Sequence, residues 1–475
     1  MSAPAGARWV ATCAAGLEEI LEREVAELDL DVEGRETGGV VFRGDLADAV
    51  RANWRLRTAN RILAELASWP APDDEALYRG AYQLIAGARA TTPGILRFEP
   101  HEANEVPAER RARGKVPAER PPGKVPAERR GKVPAEGRPA GSAANKVPAE
   151  GREAKVPGEG PAGTATSHGP SPFSLSGASP AKEPGALAGL LHPSRTFAIA
   201  ATASRSKLRD TRWIALKVKD AIADAQRARW GRRASVERRD PDLALRLRLH
   251  SDRATLLIDT SGEPLDHRGY RVETTEAPLR EQLAAAAILA SGWDGAGPVV
   301  DLFCGSGTLL AEAGALALGL APNRLRARWG FERLPGWDPA ILDAVRAEAL
   351  PAPGPGVTLH GVDLDPRALA AARRNLSAAG LAQRAVLHEG DGLAFDPPEG
   401  PGLVVANPPW GERLEEGTEL WRRLGDRLKQ SYRGWRAVIV AGGPDRGKHL
   451  GLRPARRIPV RSGPLEARLL VLELW

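Results

Sequence analysis

The sequence predicts an α/β protein in which a parallel sheet with helices on both faces follows a smaller, basic α/β region. Three observations predict it. From about residue 271, strands and helices alternate, which is typical of a parallel sheet. Residues 1–95 and 195–262 also contain amphipathic helices and short strands. The stretch between them, about 101–190, has a different composition and predicts a disordered insertion.

The N-terminal region predicts two helices and a strand. GLEEILEREVAEL (16–28) has apolar residues at helical spacing, and GGVVFRG (38–44) is typical of a short strand after a glycine turn. LADAVRANWRLRTANRILAELA (46–67) predicts a second amphipathic helix. This region is therefore expected to form an α/β unit of its own.

The insertion is marked by proline and by a repeated pentad. Residues 101–190 contain 14 of the 40 prolines. KVPAE or a close variant begins at positions 105, 115, 124, 132, 146 and 155. The irregular spacing excludes a solenoid, and frequent proline prevents helices and strand pairing. The repeats are expected to be solvated, with a loose RNA-binding arm as the alternative.

The stretch after the insertion predicts a small basic domain. The expected elements are a strand at 195–204, a helix at 211–231, and strands at 243–250 and 253–262. Residues 191–270 hold 17 Lys and Arg against 10 Asp and Glu, an excess equal to the net charge of +7 of the 475-residue chain. This favours a polyanionic partner, although the general abundance of arginine is an alternative explanation.

The C-terminal region presents a glycine turn after its first strand, in VVDLFCGSGTLL (299–310). Gly305 and Gly307 allow a sharp turn close to a ligand, and the helix that follows offers free N–H groups to a carboxylate. Asp301, at the end of the strand, suits an ammonium group. These residues fit the methionine part of S-adenosylmethionine, with a nucleotide-binding or purely structural turn as alternatives.

Two further acids end the next strands. Asp363 can accept both ribose hydroxyls of an adenosine, and Asp391 can face the adenine amino group. Each acid alone could equally be a helix cap. Because ligands bind beyond the carboxyl ends of parallel strands, three strand-end acids in order predict an S-adenosylmethionine pocket.

The segment Asn407-Pro408-Pro409-Trp410, which ends the strand GLVVA, predicts the chemistry. The Asn407 oxygen and the Pro408 carbonyl can accept hydrogen bonds from an aromatic amino group, and the prolines hold that carbonyl rigidly. Trp410 offers a flat face to a flipped-out base. We expect in-line attack of the amine on the sulfonium methyl, without a metal. The alternative is a proline-terminated strand with a core tryptophan.

The sequence resembles the THUMP-domain RNA guanine-N2 methyltransferases, and especially the N-terminal half of the bifunctional bacterial enzyme that acts on large-subunit ribosomal RNA. The matching stretches are TCAAGLEEIL, GGVVFRGD, KVKDAI, RDPDLALRLRLH, LDHRGYR, APLREQLAAAAIL, DLFCGSGTLLAEA, RARWGF, NPPWGERL and SGPLEA. The resemblance implies a ferredoxin-like subdomain (1–70), a THUMP RNA-binding domain (71–268) and a Rossmann-like methyltransferase domain (269–475).

The resemblance also implies a product, a substrate and site residues. The product would be N2-methylguanosine, in 23S ribosomal RNA or a ribosome assembly intermediate. Asp301, Gly305, Gly307, Asp363 and Asp391 would hold the cofactor, and the segment from Asn407 to Trp410, whose asparagine also borders the cofactor, would hold the guanine amine. Trp410 stands where the family usually has tyrosine, and the second methyltransferase of the bifunctional enzyme is not expected in a chain that ends at Trp475.

Three other functions stay open: a tRNA guanine-N2 methyltransferase of the same architecture, a DNA adenine-N6 methyltransferase, and a non-catalytic RNA-binding assembly factor. The basic region disfavours DNA, and the intact Asn-Pro-Pro segment disfavours the third. Two isolated cysteines, Cys13 and Cys304, indicate a reducing cytoplasm and form no zinc site. No apolar run is long enough to predict a membrane span.

Overall fold

The computed structural model describes residues 6–87, 186–275, 278–350, 356–409, 414–443, 446–462 and 465–475. These residues form two seven-stranded sheets, one before residue 260 and one after residue 297. Among the described helices, none is long and apolar enough to cross a membrane.

The first sheet combines strands from both sides of the insertion. Its elements are β1 (Ala7–Thr12), α1 (Glu18–Glu27), β2 (Asp31–Glu36), β3 (Gly39–Gly44), α2 (Leu46–Arg55), β4 (Arg61–Pro70), α3 (Asp74–Ala86), α4 (Ala186–Leu190), β5 (Phe197–Ser204), α5 (Thr211–Trp230), β6 (Leu243–His250) and β7 (Arg253–Asp259). The strand order is β2-β3-β1-β4-β7-β6-β5. Antiparallel pairing of β4 with β7 joins the two regions, so the two predicted subdomains share one sheet.

The predicted helix over 46–67 is wrong in its second half. Helix α2 ends at Arg55, where Leu56 takes an extended conformation with φ −70° and ψ 127°. Residues 61–70 instead form β4, which lies between β1 and β7. A strand that is buried on both faces has no polar alternation, and its apolar run therefore resembles a buried helix in the sequence.

The folded chain resumes before the predicted end of the insertion. Helix α4 lies at 186–190, and its Leu187 and Leu190 side chains are buried in the core of the first sheet. The predicted boundary near residue 190 is therefore late by the length of this helix. The prediction for the rest of the insertion falls outside the described residues.

The second sheet confirms the predicted alternation. Its elements are α6 (Glu281–Ser291), β8 (Pro298–Asp301), α7 (Thr308–Ala317), α8 (Pro339–Ala347), β9 (Thr358–Asp363), α9 (Pro366–Ala378), β10 (Ala385–Glu389), β11 (Leu403–Ala406), α10 (Leu414–Ser431), β12 (Arg436–Gly442), β13 (Arg456–Ser462) and β14 (Leu465–Glu473). The order is β10-β9-β8-β11-β12-β14-β13, with the first five strands parallel and β14 antiparallel to both neighbours.

The pairing register places the candidate site residues on one face of this sheet. Asp301 at the end of β8 pairs with Gly361 of β9 and with Val405 of β11. Side chains alternate between the two faces of a strand. Asp363 and Asn407 each stand two residues beyond these partners, so they follow on the face of Asp301. That face packs against α7, since a Cβ at Gly361 would lie 2.8 Å from Leu310 Cδ1.

Candidate active site

The turn between β8 and α7 is shaped by two glycines with positive φ. Gly307 has φ +80°, and a Cβ there would lie 3.2 Å from the Cβ of Ala372 on α9. Gly305 has φ +51°, and a Cβ there would meet no atom within 4 Å. Packing against α9 therefore requires Gly307, whereas Gly305 borders open space. No side chain caps the first N–H groups of α7, which leaves them available to an anion.

Asp301 is a buried carboxyl group with one unused oxygen. It is 1% exposed, and its Oδ1 accepts the Phe303 N–H at 3.2 Å. Its Oδ2 is buried and has no hydrogen-bond partner among the described residues. Burial raises the pKa of Asp301 to about 8, the Phe303 N–H lowers it, and the charge of Asp363 raises it further. Because an unpaired buried carboxylate is costly, this oxygen fits a cationic ligand such as an ammonium group.

Asp363 holds the glycine turn in place. Its Oδ2 accepts the Gly305 N–H at 2.8 Å, and its Oδ1 accepts the Asp365 N–H at 3.0 Å. The carboxylate thereby links the turn after β8 to the start of α9. Leu364, directly beside it, is 72% exposed. Each of its oxygens accepts one of these N–H groups and has a second lone pair with which it could accept a ribose hydroxyl. The assignment of Asp363 to the ribose stays a prediction.

Asp391 follows β10, and both of its carboxylate oxygens accept hydrogen bonds from neighbouring residues. Its Oδ1 accepts the Leu393 N–H at 2.9 Å, and its Oδ2 accepts from Arg423 at 2.7 Å. Desolvation raises the pKa of Asp391, but the Leu393 N–H and Arg423 outweigh it and hold the pKa below its ordinary value. The side chain therefore acts as a cap within the protein, and its contact with an adenine amino group stays a prediction.

The Asn407-Pro408-Pro409 segment follows β11. Asn407 is half-buried, and its Oδ1 is buried without a hydrogen-bond partner among the described residues. Pro408 is buried and Pro409 is exposed, whereas Trp410 lies outside the described residues. An unsatisfied buried acceptor costs free energy, which a donor on a bound ligand would recover.

Asn375 on α9 is a positioning residue that the sequence did not indicate. Its Oδ1 accepts the N–H groups of Val272 and Glu273, and its Nδ2 donates to the carbonyls of Glu273 and Ser306. This buried amide ties the segment before α6 to the glycine turn. Its partners are distant in sequence, so the motif ARRNL carried no signal for this role.

Cys304, within the turn, is neither a nucleophile nor a metal ligand in this arrangement. Burial raises the pKa of its thiol far above the ordinary value, and the nearby Asp301 and Asp363 raise it further. The thiol is therefore neutral and serves packing. Across the described segments, no group of three or more His, Cys, Asp or Glu side chains is placed to hold a metal ion.

Three known domain families match successive parts of the chain. Residues 8–63 match the RlmL ferredoxin-like domain, and residues 188–259 match the THUMP domain. Residues 268–470 match the RMKL-like methyltransferase domain, which includes the glycine turn and the Asn-Pro-Pro segment.

Relatives with curated names share these regions. Ribosomal RNA large subunit methyltransferase K/L of Stutzerimonas stutzeri (strain A1501) is 37% identical over 299 residues, which cover 60% of this chain and 41% of the relative. The enzyme of that name from Pseudomonas paraeruginosa (strain DSM 24068 / PA7) is 38% identical over 294 residues, or 59% of this chain and 41% of the relative. The matched region thus spans well under half of these relatives.

Solved structures share the fold at low sequence identity. The crystal structure of SMU.472 complexed with SAH has a TM-score of 0.67 and 24% identity, covering 99% of this chain and 98% of its own. TrmN from Thermus thermophilus has a TM-score of 0.55 and 18% identity, covering 98% and 100%. The three matched domains, in this order along the chain, make it similar to a THUMP-containing, RlmL-like methyltransferase.

Proposed function

We propose that the chain transfers a methyl group from S-adenosylmethionine to the exocyclic N2 amine of a guanosine in 23S ribosomal RNA. One observation carries the proposal. Asp301 Oδ2 and Asn407 Oδ1 are buried, have no hydrogen-bond partner among the residues that the structure describes, and lie at the ends of adjacent parallel strands on the same face. The first suits a ligand cation, and the second suits an amine that donates a hydrogen bond. The names of the curated relatives support ribosomal RNA as the substrate.

The open space beside Gly305 and the free oxygen of Asp301 fit S-adenosylmethionine. When bound, this cofactor supplies an electrophilic methyl group on a sulfonium. The uncapped N–H groups at the start of α7 would bind its carboxylate, and Asp301 would bind its ammonium. Asp363 would accept from the ribose hydroxyls, and Asp391 would lie at the adenine amino group.

The Asn-Pro-Pro segment would prepare the amine. The lone pair of an aromatic amine is delocalised into the ring, which makes the nitrogen a weak nucleophile. Asn407 Oδ1 and the Pro408 carbonyl would accept hydrogen bonds from its two N–H groups. These bonds would hold the nitrogen in line with the sulfonium methyl and favour the pyramidal geometry of attack. The two prolines restrict the backbone, so this geometry costs little reorganisation, and Trp410 would stack on the base. The nitrogen would gain the methyl group as the bond between that methyl and the sulfonium sulfur breaks, and it would lose one proton to solvent.

The THUMP region would bind the RNA in the cytoplasm. Arg205, Lys207 and Arg209 lie in the loop between β5 and α5, and all three side chains are exposed. Within the described part of the chain, none of these side chains forms an ion pair or a hydrogen bond. Contacts of this kind to phosphates would make RNA binding salt-sensitive.

Product analysis tests the proposal. The purified full chain is incubated with labelled S-adenosylmethionine and unmethylated 23S ribosomal RNA, with tRNA and duplex DNA in parallel, and the nucleosides are separated by mass spectrometry. We expect the label in N2-methylguanosine from 23S RNA. Label in N6-methyladenosine would overturn the assigned base, and label in tRNA alone would overturn the assigned RNA. Cofactor binding without any transfer would instead support an assembly factor.

A further inference from the structure

The exposed side of helix α5 carries a fixed tryptophan. Trp213 is 45% exposed, and its Nε1 donates to Asp74 Oδ1 at 2.9 Å. Lys217, one turn further along, places its Nζ 5.6 Å from the centroid of the Trp213 ring. The indole is thus anchored at its edge by α3 and on one face by Lys217 of its own helix, while much of its remaining surface faces solvent.

The exposed face of α5 that carries Trp213 is not the face that packs against the core. The opposite side of the helix is buried through Ile214, Val218 and Ile222. Leu216, three residues after Trp213, is also exposed, at 43%. A large aromatic and a leucine on one exposed helix face are typical of a surface that binds a partner.

Four exposed cations precede the tryptophan closely in the chain, in the loop before α5 and at the first turn of the helix. Arg212 precedes Trp213 directly, and like Arg205, Lys207 and Arg209 its side chain is exposed and forms no ion pair with any described residue. The nearby acids are used within the protein: Asp210 accepts the N–H groups of Arg212 and Trp213, and Asp252 accepts the Lys207 N–H. This stretch therefore combines four cations that pair with no described acid with an exposed indole ring, whose Nε1 edge is bonded to Asp74.

We propose that Trp213 and these four cations form a platform that stacks an unpaired base of the RNA and contacts the phosphates beside it. The inference rests on the proposed action on RNA and adds single-stranded structure as the feature recognised at this site. Phosphates complement the cations, and a base complements the ring. In a continuous duplex the base faces are covered by their neighbours, so a duplex would use the cations alone.

Binding measurements on variants of the full chain test the platform. Affinities are measured for a single-stranded RNA of about 12 nucleotides and for the blunt duplex of the same sequence. We expect Trp213→Ala to weaken single-strand binding by about 5- to 150-fold, the range that loss of one stacked base implies. Duplex binding should be unchanged, and Trp213→Phe should retain most of the single-strand affinity. Trp475→Ala, which removes another exposed tryptophan, should change neither.

Two results would overturn the platform. Unchanged single-strand binding by Trp213→Ala would leave the surface to a protein partner. An equal loss with single strand and duplex would mean that the ring only shapes a cationic patch. The proposed function can be contradicted independently of the platform. If the wild-type chain binds single strands through Trp213 but methylates no RNA, the proposed function is wrong and the platform is supported.

Discussion

Replacement of Asp301 by Asn should stabilise the folded protein at alkaline pH and reduce its affinity for the cofactor. The Asp301 carboxyl group is buried, one of its oxygens has no partner in the described part of the chain, and burial raises its pKa from 3.8 to about 8. A raised pKa means that the folded protein disfavours the charged form. The resulting penalty on the free energy of unfolding is absent below pH 3.8, grows as the pH rises towards 8, and is constant above that.

The magnitude follows from the pKa shift. Each pH unit between the two pKa values adds about 1.4 kcal/mol to the penalty, so it grows by roughly 4 kcal/mol from pH 5 to pH 8. Asn carries no such penalty, but its amide would leave an unpaired donor at the position of Oδ2, at a constant cost of about 1–3 kcal/mol. Asp301→Asn should therefore be close to wild type in stability near pH 5 and clearly more stable at pH 8.

Thermal denaturation from pH 5 to pH 8, with calorimetric titration of SAH, measures both effects. Asp338→Asn is the control, since Asp338 caps α8 at the surface and Asn caps a helix equally well. The expected result is an increasing stability advantage of Asp301→Asn with pH, together with weaker SAH binding. Parallel stability curves for the variant and wild type would refute the buried-carboxylate argument, and wild-type SAH affinity would refute its role as a cofactor ligand.

Two further changes test the RNA surface and the glycine turn. Replacing Arg205, Lys207 and Arg209 by Glu should weaken RNA binding and reduce the slope of log K against log salt concentration by about 2. Binding titrations from low to high salt measure this slope. An unchanged slope would mean that this loop does not contact RNA. Gly305→Ala places a side chain at φ +51° in open space, so it should cost about 1–2 kcal/mol of stability and also reduce SAH affinity by obstructing the pocket. Gly434→Ala, at φ +80° before the amino end of β12, should impose a similar strain and leave SAH affinity unchanged, because the glycine turn follows the carboxyl end of β8. Equal losses of SAH affinity in both variants would contradict the assignment of the turn.

Local sequence patterns predicted much of the second sheet. The parallel strands end in turns that the sequence shows as Gly, Asp or Pro, which is why the sequence alone assigns Asp301, Asp363 and Asn407 to the carboxyl end of one sheet. Strand β13 is not apparent from the sequence, because Pro459 interrupts its pattern. An edge strand tolerates proline, since one row of its backbone groups has no partner strand.

The remaining features depend on contacts between distant segments. Strand β4 looked helical because its burial comes from β1 and β7, which lie far apart in sequence. The four hydrogen bonds of Asn375 join three separate segments, and the ion pair of Asp391 with Arg423 joins β10 to α10. The secondary-structure propensity of a segment does not depend on such distant partners, and tertiary pairing overrides this propensity when the two conflict.

The rate of methyl transfer by Asn407→Ala tests the central claim most directly. Because Asn407 Oδ1 has no partner within the described protein, its removal should leave folding intact, as thermal denaturation can verify. We expect the transfer of labelled methyl groups to RNA to fall by at least about 100-fold, as when one electrostatic contact to the reacting group is lost, while SAH still binds. Methylation at the wild-type rate would contradict the claim that this asparagine holds the amine beside the cofactor.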